Sequence, residues 1–258
     1  MEQQNPKFNK ELTLYLILSG FFLANALIAE MVGVKIFSVE KIFGISPMNL
    51  PFIGDLKLSV GILIWPFVFI ISDLVNEYFG KPGVKRLSYL GSILIAYAFI
   101  IVYFGTSAPP SDFWLNKNAV DSAGNPFNID YAYSTIFRQG LGIIVGSITA
   151  FLVGQIVDLY VFHYLRKLTG HKKLWLRATG STVVSQLIDS YLILFIAFYL
   201  LGNWEFKDIL AIGTLQYFYK ISFAVLLTPL LYWLHSIIDN YLGKDKSKEM
   251  IAQAEEVA

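Results

Sequence analysis

The sequence predicts an all-α integral membrane protein, a bundle of six transmembrane helices with both termini in the cytoplasm. Three observations carry this. Only 15% of the 258 residues are charged and 55% are hydrophobic, whereas a soluble domain carries about 25% charged residues. Several apolar runs reach the roughly 20 residues that cross a bilayer. Lys and Arg gather on alternate connections, as the positive-inside rule requires.

The spans are read over residues 12–34, 58–79, 87–104, 136–165, 176–201 and 209–238. The fourth and sixth exceed the hydrocarbon thickness, so they tilt or project. Lys7, Lys10, Lys81, Lys85, Arg86, Arg166, Lys167, Lys172, Lys173, Arg177, Lys244, Lys246 and Lys248 fall on the ends and even-numbered connections. The odd connections hold only Lys35, Lys41, Lys57, Lys117 and Lys207. Residues 1–10 are polar and lead into a long helix without a small-residue cleavage site, so the first span acts as its own insertion signal. One domain, residues 1–243, is expected, followed by a charged, disordered cytoplasmic tail over 244–258.

Span 1 carries Asn25 deep in the apolar run, then Glu30 and Lys35. The Asn25 amide suits either a ligand or helix–helix glue, and Lys35 either a site or snorkelling to the interface. The connection after it, with Gly44, Pro47, Pro51 and Gly54, reads as a hairpin or a re-entrant flap. Trp65-Pro66 in span 2 predicts a kink. Span 3 is nearly featureless. The connection 105–135, with Pro109-Pro110, Trp114 and Asn125-Pro126, reads as a surface loop or a lid. Gly142, Gly146, Ala150 and Gly154 in span 4 form a small-residue stripe for close helix contact, within the bundle or in a homodimer.

The functional signal is polar. Asp73, Asn76 and Glu77 share one helix face at i, i+3, i+4 and end an apolar run that stops at Gly80. An acid inside the bilayer costs about 2.5–3.5 kcal/mol on insertion scales, so chains keep it for a polar cavity or a partner. Arg138 opens span 4, and Gln155 and Asp158 close it at i, i+3. Span 5 repeats the sign with Gln186 and Asp189, so G-Q-I-V-D-L-Y is echoed by S-Q-L-I-D-S-Y. With span 4 running inward and span 5 outward, the three acidic patches fall at one level. Span 6 adds Gln216 and Lys220; either Arg138 or Lys220 serves as counter-charge.

Function classes narrow accordingly. Net charge +1 gives no nucleic-acid surface. There are no cysteines, and the three histidines stand apart from the acids, so no transition-metal site or cofactor is expected. No phosphate-binding glycine loop or activated nucleophile is present, which argues against an enzyme or a self-contained ATP-driven pump. Carboxylates, amides and aromatic faces together suit a planar polar heterocycle. Trp65, Phe67, Tyr78, Tyr191 and Tyr217 are the candidate stacking faces, with packing or interfacial anchoring as their ordinary use.

S-D-L-V-N-E-Y-F-G-K-P-G-V-K-R (residues 72–86), G-Q-I-V-D (154–158) and L-W-L-R-A-T-G-S-T-V-V-S-Q-L-I-D-S (174–190) resemble, in order and separation, the queuosine precursor transporter family, earlier described as vitamin uptake transporters. The resemblance runs from span 1 to span 6. It implies a six-helix, multi-pass protein of the bacterial inner membrane. Its cargo would be the 7-deazapurines 7-cyano-7-deazaguanine and 7-aminomethyl-7-deazaguanine, for queuosine in tRNA. It places the motif acids at Asp73, Glu77, Asp158 and Asp189, with Gln155, Gln186, Arg138 and Arg177 in the same blocks and Asn25 and Lys35 in span 1. A secondary importer is therefore expected, with Asn76 and Lys220 completing the binding set. A substrate-capture subunit of a multi-component ATP-driven importer is the alternative, and an intramembrane enzyme the distant third.

Overall fold

The computed structural model describes residues 9–33, 35–48, 55–138, 141–169, 173–200 and 204–256, with backbone only for 141–145, 255 and 256. Lys7, Pro51, Gly54, Lys172, Leu201 and the last two residues of the expected tail lie outside the described residues. The chain is mostly helical: α1 Lys10–Val32, α2 Val39–Phe43, α3 Trp65–Ser107, α4 Asp112–Lys117, α5 Ile129–Arg138, α6 Leu141–Thr169, α7 Leu174–Leu194, α8 Phe206–Leu226, α9 Thr228–Leu242 and α10 Lys244–Glu256. β1 Ile36–Ser38 pairs antiparallel with β2 Lys57–Ser59. This decides the first connection as a hairpin. Among the described residues, five helices are long and apolar enough to cross a membrane: α1, α3, α6, α7 with its π-helical extension Phe195–Leu200, and α8.

The 43-residue α3 is two helices joined at Gly80 (φ 63°, ψ −167°). Contacts with α1 show the reversal. Near the start of α1, Tyr15 meets the Phe79 ring (centroids 5.0 Å) and donates to the Gly83 carbonyl (2.9 Å). Further along, the Ala29 carbonyl lies against Gly61, whereas Phe22 and Leu23 lie against Gly91. Residues 65–79 therefore run antiparallel to α1, and residues 81–107 run parallel to it. Gly80 makes the turn in a backbone region essentially confined to glycine. Pro82 falls in the first turn of the returning helix, where its missing N–H costs nothing.

Several boundaries differ from expectation for physical reasons. Pro66 does not kink a span. The chain approaches through the 3₁₀ turn Val60–Leu63, and Pro66 sits in the first turn of α3. The expected sixth span is two helices, α8 and α9, because Pro229 cannot continue the ladder and starts α9 instead. The expected fourth span overlaps the end of α5, clamped to the end of α3 by Arg138. Its Nε donates to Thr106 Oγ1 (2.8 Å), and its other nitrogen donates to Ser107 Oγ (2.6 Å).

The expectation of a disordered tail is corrected. Residues 244–256 form α10, and Ser247, Met250 and Ala254 on one face are buried. Apolar residues at i, i+1 and i+4 (Met250, Ile251, Ala254) give a mostly charged segment one docking stripe.

Burial is inverted relative to a soluble protein. Leu16, Phe21, Ile93, Ile100, Phe104 and Leu226 are all more than half exposed, while Asp73, Glu77, Asp158 and Arg177 are buried. Solvation by lipid explains an apolar exterior around a polar interior. The apolar core clusters Leu14, Phe22, Val68, Leu74, Leu87, Phe151 and Phe162 around the first half of α3. Two glycines of the stripe pack inside the bundle: a Cβ at Gly146 would lie 3.1 Å from Ala197, and one at Gly154 3.4 Å from the Asp189 Cβ.

Candidate functional site

Every residue from 72 to 78 is buried, so the first half of α3 is the axis that the other helices surround. Ser72, Asn76 and Glu77 each meet a different group on α6 or α7. Ser72 Oγ donates to Gln155 Oε1 on α6 (2.9 Å). Asn76 Oδ1 lies 2.8 Å from His163 Nε2. Glu77 is bracketed by Arg177 of α7 at 2.8 Å and Arg166 of α6 at 3.9 Å. On the facing helices, Ser185 Oγ donates to Asp158 Oδ1 (3.1 Å). Lys220 of α8 pairs with Asp189 Oδ2 at 2.5 Å. Glu30 of α1 is hydrogen-bonded to the Ser147 hydroxyl. Buried charges are tolerable only with such partners, since an uncompensated one costs several kcal/mol.

Two cavities follow this polar file. A vestibule of about 410 Å³ opens at the hairpin end, among Lys57, Ser59, Trp204 and Phe198, and ends on Asp189, Gln216 and Lys220 beside Trp65. Its size lies within the roughly 300–1,000 Å³ of small-molecule sites. Trp65 and Lys220 also line a second, narrow cavity of about 30 Å³, which reaches Asp73, Thr182 and Gln186. That is enough room for a water molecule. Gln186 is fully buried with neither amide atom hydrogen-bonded, and Asp73 Oδ1 is likewise unpartnered. Below this level the Glu77–Arg177–Arg166 cluster closes the file towards the end that carries α10.

The structure brings Asp73, Asn76, Glu77, Gln155, Asp158, Gln186, Asp189 and Lys220 together. Lys220, and not Arg138, is the counter-charge to Asp189. Three expected site residues stand apart. Asn25 donates to the Phe21 carbonyl of its own helix (2.8 Å). Lys35 is exposed before β1. Arg138 holds α5 to α3. The positive-charge count places Arg166 and Arg177 on a connection, and only the resemblance sets Arg177 in a motif block, yet they are 3% and 1% exposed. Sequence reading also places the histidines away from the polar patches, yet His163 sits against Asn76. The vestibule is flanked by the short hairpin through Ile36, Lys57 and Ser59, whereas no residue of 105–135 lines either cavity.

An apolar-skinned helical bundle with a polar file closed at one end has the build of a membrane transporter for small polar molecules. The chain belongs to the vitamin uptake transporter family, whose profile matches residues 59–234. It is 27% identical over 187 residues to the probable queuosine precursor transporter of Bacillus subtilis strain 168, covering 72% of this chain and 75% of that protein. It is 26% identical over 174 residues to the queuosine precursor transporter of Escherichia coli K12, covering 64% and 66%. A probable queuosine precursor transporter of Haemophilus influenzae is 23% identical over 171 residues, covering 65% and 63%. The matched stretch therefore spans about two thirds of the latter two proteins' length. No solved structure matches. The chain is thus a transporter and not an enzyme, a multi-pass protein of the bacterial inner membrane.

Proposed function

We propose that this protein imports 7-deazaguanine precursors of queuosine, with the vestibule as their receiving site. One six-helix domain crosses the membrane, the two halves of α3 counting as separate crossings and α8 with α9 as the last. The hairpin end faces outward, because Lys10, Lys81, Lys85, Arg86 and Lys167 gather at the other end. The observation that carries the reading is the vestibule floor, where Asp189, Gln216 and Lys220 meet the Trp65 ring. A guanine-type edge offers adjacent N–H donors to a carboxylate and a carbonyl oxygen to an ammonium or amide. Asp189 takes the donors, Lys220 swings from Asp189 to the oxygen, and Trp65 provides a flat face. Asp73 and Gln186, whose unpartnered atoms wait one level deeper, receive the ligand next.

The test is queuosine in tRNA. Bacteria unable to make the precursor and lacking their own importer are given this protein and fed each precursor at low concentration. Queuosine is expected only with the protein present. Asp189→Asn should weaken half-saturation roughly ten- to hundredfold, the equivalent of a charged hydrogen bond of about 1.5–3 kcal/mol. Normal uptake by well-inserted Asp189→Asn would remove the vestibule floor from the mechanism.

A further inference from the structure

The matched family region stops at residue 234, and the one described helix wholly beyond it is α10. Its placement is specific. Arg166, which faces Glu77 at 3.9 Å and the Asn76 carbonyl at 3.5 Å, also donates to the Ile251 carbonyl of α10 at 2.9 Å. Ala254 sits on the Gly80 reversal so closely that a Cβ there would come within 3.0 Å of its carbonyl oxygen. Met250 joins the apolar core. Ser247 donates to Asp239 Oδ1, the oxygen that also accepts from Tyr78 of α3 at 2.8 Å. Lys246 pairs with Glu11 at the start of α1 at 2.8 Å. One helix thus ties together α1, both halves of α3, α6 and α9 at the end where the polar file is closed.

We propose that α10 is the inner latch of the pathway. Docked, it holds Arg166 across Glu77 and keeps the two halves of α3 together at Gly80. Undocked, it frees Arg166 and opens the exit below Asp73 and Gln186. The chain from ligand to latch is short: the inner cavity touches Asp73, Glu77 is one turn further along α3, and Arg166 joins Glu77 to α10. A ligand that moves the first half of α3 therefore pulls on the latch directly. Gly243, at φ 93°, supplies the hinge between α9 and α10. This inference rests on the transport reading for its consequence, but not for its first test.

That first test needs no substrate. The chain contains no cysteine, so Thr182→Cys places one thiol in the inner cavity. Its labelling by a membrane-impermeant maleimide is followed in inside-out vesicles. Ala254→Trp, added on α10 to prevent docking, should raise the labelling rate about tenfold, as a shift of one decade in a two-state equilibrium would. An unchanged rate overturns the latch. The second test is transport in proteoliposomes. Glu11→Cys/Lys246→Cys, neither residue lining the vestibule or the inner cavity, is bridged with a bis-methanethiosulfonate. Uptake of 7-cyano-7-deazaguanine should fall to background and return on reduction. Unimpaired uptake by the bridged protein also overturns the latch. Failure of the unbridged protein to take up this substrate counts against the substrate reading, while the thiol labelling still judges the latch.

Discussion

Arg177→Met is the substitution whose cost the structure states most directly. Arg177 is 1% exposed and its guanidinium lies 2.8 Å from Glu77 Oε1. Methionine keeps much of the stem volume and removes the charge. Breaking a buried pair from one side costs about 3–5 kcal/mol, because the remaining ion is left uncompensated. Arg166 still stands 3.9 Å from the other Glu77 oxygen, so the lower end, about 3 kcal/mol, applies. For a chain of this size each kcal/mol moves the melting point by about 2–4 °C, giving a fall of roughly 6–12 °C. The assay is thermal unfolding of detergent-purified protein followed by tryptophan fluorescence, with Glu77→Gln and Glu77→Gln/Arg177→Met completing the cycle. The double variant should recover at least half of the loss, since it no longer buries an unpaired carboxylate. A double variant that melts at the sum of the two single losses would refute the pairing argument.

Gly80→Ala should cost about 1–3 kcal/mol, because its backbone lies in a region open essentially to glycine alone; a lowered melting point, with easier proteolysis of α10, is the expected reading. Gly213→Ala places a Cβ 2.7 Å from the Tyr191 ring, an overpacking worth about 1–3 kcal/mol, and should slow uptake by separating α8 from α7 beside the vestibule. Glu40 lies outside the spans, and the Leu56 N–H (2.6 Å) donated to its carboxylate, then the Ser38 hydroxyl (2.9 Å), hold it below the usual carboxylate range. A depressed value means that its contribution is complete above the ordinary value and is lost as pH falls through the depressed one. The 36–59 connection should therefore resist limited proteolysis at neutral pH and open in acid, and Glu40→Gln should be open at both.

Much of the site was legible because a bilayer makes polar residues conspicuous. Asp73, Glu77, Gln155, Asp158, Gln186 and Asp189 stand out against apolar helices, and opposed helix directions set them at one depth. Counter-charges were harder to read. Arg166 and Arg177 sit at helix ends, where the positive-inside rule explains them without any partner, and only packing shows that they turn inward to Glu77. Lys220 was legible as a cation in a span, but Asp189 could not be named as its partner from one helix. The Gly80 reversal was visible as a stop and not as a hairpin. The α10 helix was hidden because three small or apolar contacts among charged residues give too little pattern to separate docking from disorder.

The pairing scheme also bears on how the bundle excludes the wrong cargo. Asp189 is already neutralised by Lys220, and Glu77 by two arginines, so neither gains from a bare cation that brings charge without the right geometry. On the proposed reading, a ligand that displaces Lys220 must offer donors for Asp189 and an acceptor for the released ammonium at once, or it leaves one buried charge unpaired at a cost of several kcal/mol. A base presenting a guanine-type edge does both, with two adjacent N–H donors and a carbonyl; an adenine-type edge offers one amino group and a ring nitrogen in place of the carbonyl, and meets the requirement less well. Replacing Lys220 by Met removes that requirement. It should therefore narrow the preference for the deazaguanine over an adenine-type competitor by about tenfold or more, the discrimination that one buried hydrogen bond to a charged group supplies. Competition for uptake by unlabelled nucleobases measures this ratio, and an unchanged ratio in Lys220→Met would place the reading of the ligand elsewhere.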